Sequence, residues 1–540
     1  MNSATPFFPS GRAQLAPKGA RLAQTCKTLR AYTLCQLEER FGSCLPQTLF
    51  PKAAGHTNSR DRLYTRWLTF WSLLWQGFNP KAPGREVVRQ IQALFELHDG
   101  PCISAQDGAY CRAKVRLPVS EFPKALAATA QAADPAAPTL TWLQGRRVKA
   151  ADGATLTLAD TPKNRAAYPA RQSPEPNFPM RRLVVLFSLL NGAILSLASG
   201  NLHAAELPLF RQLLDQLVPG DLLLADRGFG NFILLALLQK LNRGIDFIGR
   251  SARHVDGRRR LKRLGPQDWL VQWQRSPNPS LWLPLAQWLA LPKQITVRLV
   301  RGSLYCKGFR VRQVTLVTTL LDPPLYPAQE ILPAYRRRWR LEMGLDDLKT
   351  TLEMERLRSR SPAMVQREVY AHLIVPNLIR YTLAQAATQQ TVHLERISFK
   401  GTLDALRQFT QAISQARTKK KRRQLWTKLL ETLAADLVPE RPDRSEPRAV
   451  KRVKNKYPRL SAPRHQFRDR PKRSVRRTKA RLRTSSALCK GHSPGRGVLV
   501  RPRPGGCPDD QLRGRGHALP NRFQVTAHHY AGDQQRLRRR

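Results

Sequence analysis

The apolar positions of this chain change their period several times, and each change predicts a different kind of element. From about residue 21 to 135 they recur every three to four residues, as in ARLAQTCKTLRAYTLCQLEERF, YTRWLTFWSLLWQGF and GREVVRQIQALFELH, which predicts amphipathic helices. ADPAAPT, 133–139, reads as a linker by its Pro and Ala content. Beyond it the texture turns to strands. RRVKAADGATLTLAD predicts a strand, a turn at Asp152-Gly153 and a second strand. RLVVLFSL and AILSLAS predict two adjacent core strands joined through Asn191-Gly192, a strong hairpin dipeptide. That stretch is the most apolar of the chain, but it is too short and too broken for a membrane span. A helix over ELPLFRQLLDQLV, a buried strand in DLLLADRGFG and a helix over NFILLALLQKLNRG follow. IDFIGRS, ITVRLVRG and QVTLVTTLL make 245–330 β-rich, and helices resume to about 437. Hairpin strands followed by helix, strand and helix specify a mixed α/β sheet.

Composition narrows the partner. The 540 residues carry a formal net charge of +54, an excess of cations that repels itself unless a polyanion is present. Nucleic acid is the leading candidate and an anionic membrane surface the weaker one. MNSATPFFPSGRAQ lacks a signal-peptide pattern. None of the eight cysteines forms a C-x-x-C pair, which disfavours zinc and fits reduced thiols in a cytoplasm. Residues 1–20 read as a flexible arm. From 441 onward 29 Lys plus Arg stand against 6 Asp plus Glu with few apolar clusters, the signature of a disordered basic tail that binds phosphate without regard to sequence.

Candidate chemistry starts from two Asp residues. Asp152 and Asp226 each follow an apolar strand, and in open α/β sheets ligands bind just beyond the carboxyl ends of strands. Each Asp taken singly is also explained as a turn or cap residue. YRRRWRLEMGLDDLK, 335–349, adds a third carboxylate. On an unbroken helix Tyr335, Arg338, Glu342 and Lys349 fall within about 60° of arc over roughly 21 Å. A surface ion-pair ladder is the alternative. Asp160 in LADTPKN competes with Asp152, and Asp346 and Asp347 compete with Glu342. Three separated acids beside a basic surface suit a two-metal phosphoryl-transfer site, because hard divalent ions take oxygen ligands and leave the remaining positions to water and phosphate.

Y-x2-R-x3-E-x6-K is complete here as Tyr335, Arg338, Glu342 and Lys349, and with LLLADRGF and AADGATLTLADT it resembles the DDE transposases of the insertion-sequence-four family over about 25–460. The resemblance implies an RNase H-like catalytic core over 140–440 with a β-rich insertion at about 245–330. A helical N-terminal DNA-binding domain (21–135) precedes it and the basic, largely disordered tail (441–540) follows. It implies Asp152, Asp226 and Glu342 as a triad for Mg²⁺, with Mn²⁺ possible. Tyr335, Arg338 and Lys349 would contact the transposon end. Trp339, inside the motif, reads as core packing first and as a contact to an extruded base second. The implied partners are transposon-end DNA with its terminal inverted repeats, target DNA and a second copy in a synaptic complex, in the cytoplasm at the nucleoid and with no membrane. Two rival classes are a non-transposing metal nuclease of the same fold and an inactive DNA-binding copy.

Overall fold

The computed structural model describes residues 41–42, 44–45, 47–50, 63–96, 102–133, 143–169, 178–251, 260–304, 312–338, 344–345, 347–355, 357–416 and 418–439. The predicted arm at 1–20 and the tail at 441–540 lie outside them. The chain divides into Met1–Asp469 and Arg470–Arg540, and the second unit contains no described residue.

Among the described residues four α-helices lead into the sheet: α1 (Arg66–Phe78), α2 (Gly84–Glu96), α3 (Gly108–Val115) and α4 (Glu121–Ala133). The Thr65 hydroxyl starts α1 by accepting from Leu68 N at 3.1 Å. Trp67, Phe70 and Trp71 then face inward and meet Phe50 and Phe122 in a cluster of tilted and edge-on rings.

The centre of the molecule is one nine-stranded sheet in the order β3-β2-β1-β4-β5-β9-β8-β7-β6. Its strands are β1 (Arg147–Thr157), β2 (Met180–Ser188), β3 (Ile194–Asn201), β4 (Asp221–Ala225), β5 (Asp246–Arg250), β6 (Arg260–Gly265), β7 (Asp268–Gln274), β8 (Gln294–Leu304) and β9 (Arg312–Thr318). β1, β2 and β3 are antiparallel neighbours, while β1, β4 and β5 run parallel. Three antiparallel strands followed by two parallel ones in the order 3-2-1-4-5 is the RNase H-like arrangement, so the mixed α/β expectation holds.

Alternation along the strands builds two cores. Val148, Ala150, Leu222 and Leu224 face the side covered by α1, α4 and α10 (Pro362–Gln389). Ala151, Leu223 and Ala225 face the side covered by α6 (Glu206–Arg211) and α7 (Phe232–Leu241). α5 (Pro162–Ala167) precedes these and α8 (Leu285–Leu289) sits among the later strands. All five residues of β4 are buried, and each fully buried Leu contributes about 1.5–3 kcal/mol. α10 is buried nearly all round, and Asn377 in its middle joins it to the sheet. Its Oδ1 accepts from Ile194 N at 2.7 Å and its Nδ2 donates to Ile194 O at 2.9 Å.

Three expectations need correction. Asp152-Gly153 is no turn: β1 runs through it, because β2 pairs with β1 from Lys149 to Thr157 and outweighs the local dipeptide. IDFIGRS does not open the insertion, because β5 pairs in parallel with β4 as a core strand. The insertion strands then extend this same sheet through the β5–β9 pairing. The basic stretch at 335–349 is no uniform 3.6-residue helix. α9 (Ala328–Arg336) closes with Arg337 N and Arg338 N donating to Ala334 O and Tyr335 O, a tightening of the last turn. Asp347–Thr351 is a π-type turn with Leu352 N donating to Asp347 O at 3.0 Å. The arc that places Lys349 beneath Tyr335 therefore does not apply. α11 (Phe399–Gln415) and α12 (Lys419–Ala435) follow α10. Among the described residues no helix is long and apolar enough to cross a membrane.

Candidate active site

The parallel β1–β4 pairing ends at Ala151 opposite Ala225. The next residue in each segment is an Asp, so Asp152, still within β1 and paired there with β2, and Asp226, just past the end of β4, stand side by side at the carboxyl end of β4. The two preceding alanines point to the α6–α7 side. The alternation of strand side chains therefore turns both carboxyl groups to the opposite side, where Tyr335, Leu345 and Leu348 are buried.

Charge accumulates at this edge. The Asp152 carboxyl is pushed up to about 6, by burial first; the Gly153 N–H and the Arg338 guanidinium oppose the shift, and the Glu206 and Asp226 carboxylates add to it. Gly153 N donates to Asp152 Oδ1 at 2.7 Å. Gly153 has a second use. A Cβ there would collide with the carboxylate of Glu206, which stands at the start of α6 and comes up against β1 from the other side of the sheet. Glu206 was not singled out from the sequence; an acid in the first turn of a helix reads there as ordinary dipole compensation.

Tyr335 is buried, and its hydroxyl is held well above the usual phenol range, by burial first and also by Asp226, against the pull of Arg338 and Arg250. It stays protonated, a hydrogen-bond donor near Asp226. The Arg338 guanidinium lies 5.8 Å from its ring centroid. Arg250, at the end of β5, is a second cation the sequence did not point to. Gly230 lets the chain after β4 pass close to it, since a Cβ there would collide with the Arg250 carbonyl. Lys349 is half-buried in the π-type turn. Glu342 and Trp339 lie outside the described residues, as does Asp346. Of the rival acids, Asp160 is paired with Arg165, and Asp347 with Arg380 at 3.1 Å.

Among the described residues no group of three or more His, Cys, Asp or Glu side chains is arranged to hold a metal ion. The described part of the site is a pair. Its chemistry fits a hard divalent cation: two adjacent carboxylates, one of them held up by burial and by its acidic neighbours, gain from a positive charge placed between them.

The raised Asp152 gives a signed prediction. Between about pH 4 and pH 6 the folded, metal-free protein keeps a proton that the unfolded chain has lost, so stability falls as pH rises through that window and stays lower above it. Asp152→Asn cannot ionise and escapes the loss. Its metal-free form is expected to exceed the wild type by roughly 3 kcal/mol at about pH 7.5, with the gap narrowing to about 1 kcal/mol at about pH 4.5. Urea unfolding at the two pH values measures this; an equal gap at both would show that Asp152 titrates normally.

The family described as a transposase DDE domain matches residues 143–378, a span that runs from four residues before β1 into α10. The transposase InsG for insertion sequence element IS4 of Escherichia coli (strain K12) is 26% identical over 342 residues, covering 62% of this chain and 73% of that protein. A cryo-EM structure of the piggyBac transposase synaptic complex with hairpin DNA superposes with a TM-score of 0.37 at 12% identity, over 79% of this chain and 88% of that chain.

Proposed function

We propose, for a chain that is a transposase with its DDE domain of the insertion-sequence-four type at 143–378, that Asp152, Asp226 and Glu342 are the carboxylates at which DNA is cut and joined. Enzymes of this class catalyse DNA cleavage and strand transfer with divalent metal ions, and DNA is their partner. The observation that carries the assignment is the placement of Asp152 and Asp226 next to one another where the β1–β4 pairing ends, on the side occupied by Tyr335. The bound ion is Mg²⁺, with Mn²⁺ as a substitute; it would supply Lewis-acid stabilisation of the phosphate and a more acidic water.

The chain's own residues do the holding. Arg338, beside Asp152 and Tyr335, and Lys349, on the following turn, pair with backbone phosphates. The protonated Tyr335 hydroxyl donates to the same strand. Hydrolysis at the element's end consumes one water and leaves a 3′-hydroxyl. That hydroxyl then attacks a second phosphodiester in line, exchanging one P–O bond for another. A covalent phosphotyrosine route is disfavoured, since the Tyr335 hydroxyl resists ionisation. The helices at 21–135 read the terminal inverted repeats, and Trp339 packs within the motif or stacks on an extruded base. The basic stretch 441–540 adds sequence-blind affinity. Two copies hold two ends in a synaptic complex on the bacterial nucleoid.

The test is a labelled duplex carrying the element's own end, incubated with Mg²⁺ and a target plasmid. Cutting at the repeat boundary followed by joining of the 3′ end to the plasmid is the expected result. Cutting without joining would make the chain a metal nuclease, and binding without cutting would make it an inactive DNA-binding copy.

A further inference from the structure

Arg380 on α10 is a cation set deep in the fold, its side chain 15% exposed. Its guanidinium serves two segments at once. Nη1 donates to Asn191 O, in the β2–β3 turn, at 3.2 Å, and Nη2 donates to Asp347 Oδ2, in the π-type turn, at 3.1 Å. The Phe399 ring lies 5.1 Å from its Cζ. The β2–β3 turn is shaped to admit it: Gly192 has φ +75°, and a Cβ there would stand 2.6 Å from Nη1. Gly344 comes close to the same guanidinium, with its Cβ position 3.6 Å from Nη2. A planar fork reaches two acceptors in fixed directions, which a lysine cannot do.

What Arg380 holds is the turn that carries Lys349. π-type turns are uncommon and concentrate at functional sites. Leu348 and Leu352 pin this one in the core on either side of Lys349, which is itself half-buried. We propose that Arg380 is a positioning residue for DNA binding: it locks the Asp347–Thr351 turn against the β2–β3 turn and so sets where the Lys349 ammonium meets the backbone of the DNA being cut. The inference rests on the assignment of Lys349 as a phosphate contact made above.

The experiment uses the full chain and a fluorescent duplex carrying the element's end, without metal, titrated at several salt concentrations. The variants are Lys349→Ala, Arg380→Met and the double substitution, with Asp347→Asn as a second way to open the lock should Arg380→Met fail to fold. Loss of one phosphate contact lowers the slope of log affinity against log salt by about 0.9. Arg380→Met, Asp347→Asn and Lys349→Ala are each expected to show that loss, with affinity down by about fivefold to tenfold at moderate salt, and the double variant is expected to lose no more than one contact. A wild-type slope in both Arg380→Met and Asp347→Asn, whatever their thermal midpoints, would overturn the proposal, as would additive losses in the double variant. If Lys349→Ala itself keeps the wild-type slope, the assignment of Lys349 falls and this inference with it. If Lys349→Ala changes the slope and the other two do not, only this inference falls.

Discussion

Asp226→Asn is expected to slow strand cleavage at the element's end by roughly 10³-fold or more, because a metal site is worth several kcal/mol to a phosphoryl transition state and each 1.4 kcal/mol is about tenfold. The substitution is nearly isosteric, so it tests charge rather than shape. β4 is buried throughout and paired on both sides, to β1 and to β5, which holds the backbone at residue 226 in place. The same variant is expected to bind the end DNA in metal-free buffer as well as the wild type or slightly better, since it removes a negative charge from a site that must admit phosphate. Single-turnover cleavage with Mg²⁺ and metal-free binding separate the two effects. Glu342→Ala is expected to behave alike. Cleavage by either variant at the wild-type rate would remove that carboxylate from the site.

The largest effect on stability is expected at the other end of the sheet. Arg298, on β8, is fully buried and forms a two-pronged pair with Asp268, Nε to Oδ1 at 2.9 Å and Nη2 to Oδ2 at 2.6 Å. Its remaining donor, Nη1, serves Leu320 O at 3.3 Å and Tyr326 O at 2.7 Å. Arg298→Met leaves Asp268 buried without its counter-charge, and breaking such a pair costs about 3–5 kcal/mol. The companion Arg298→Met/Asp268→Leu removes both charges and is expected to regain most of that loss, although two carbonyls remain without a donor. Urea unfolding followed by fluorescence is the measurement. A single variant within about 1 kcal/mol of wild type would show that water reaches the pair. The effect also bears on catalysis. The two carbonyls lie on the segment that leads into α9, so this ion pair ties the insertion strands to the approach of Tyr335.

Much of the core was legible where local chemistry and tertiary pairing agree. Asn191-Gly192 marked the β2–β3 hairpin because the turn residues and the flanking strands ask for the same thing. LLLAD marked β4 and its terminal carboxylate because a short strand buried on both faces has no competing period. Legibility failed where a distant partner decided. Asp152-Gly153 has the composition of a turn, and only the long pairing with β2 makes it strand. IDFIGRS looked like its β-rich successors because nothing local distinguishes a core strand from an inserted one. The stripe from Tyr335 to Lys349 assumed one helical period across a stretch that contains a π-type turn. Glu206 met Gly153, and Arg298 met Asp268, through contacts that no window along the chain contains.

The shared sheet has a consequence for the order of synthesis. β5 takes its second neighbour from β9, and residues 251–311 must be made before that partner exists. At roughly 5–20 residues per second, the far edge of β5 stays open for roughly 3–12 s while the ribosome works through the insertion. During that time the nascent core presents an unpaired row of backbone donors and acceptors to any other growing chain. Burial of this edge waits on translation, so a pause within the insertion lengthens the interval in which newly made copies can stick to one another.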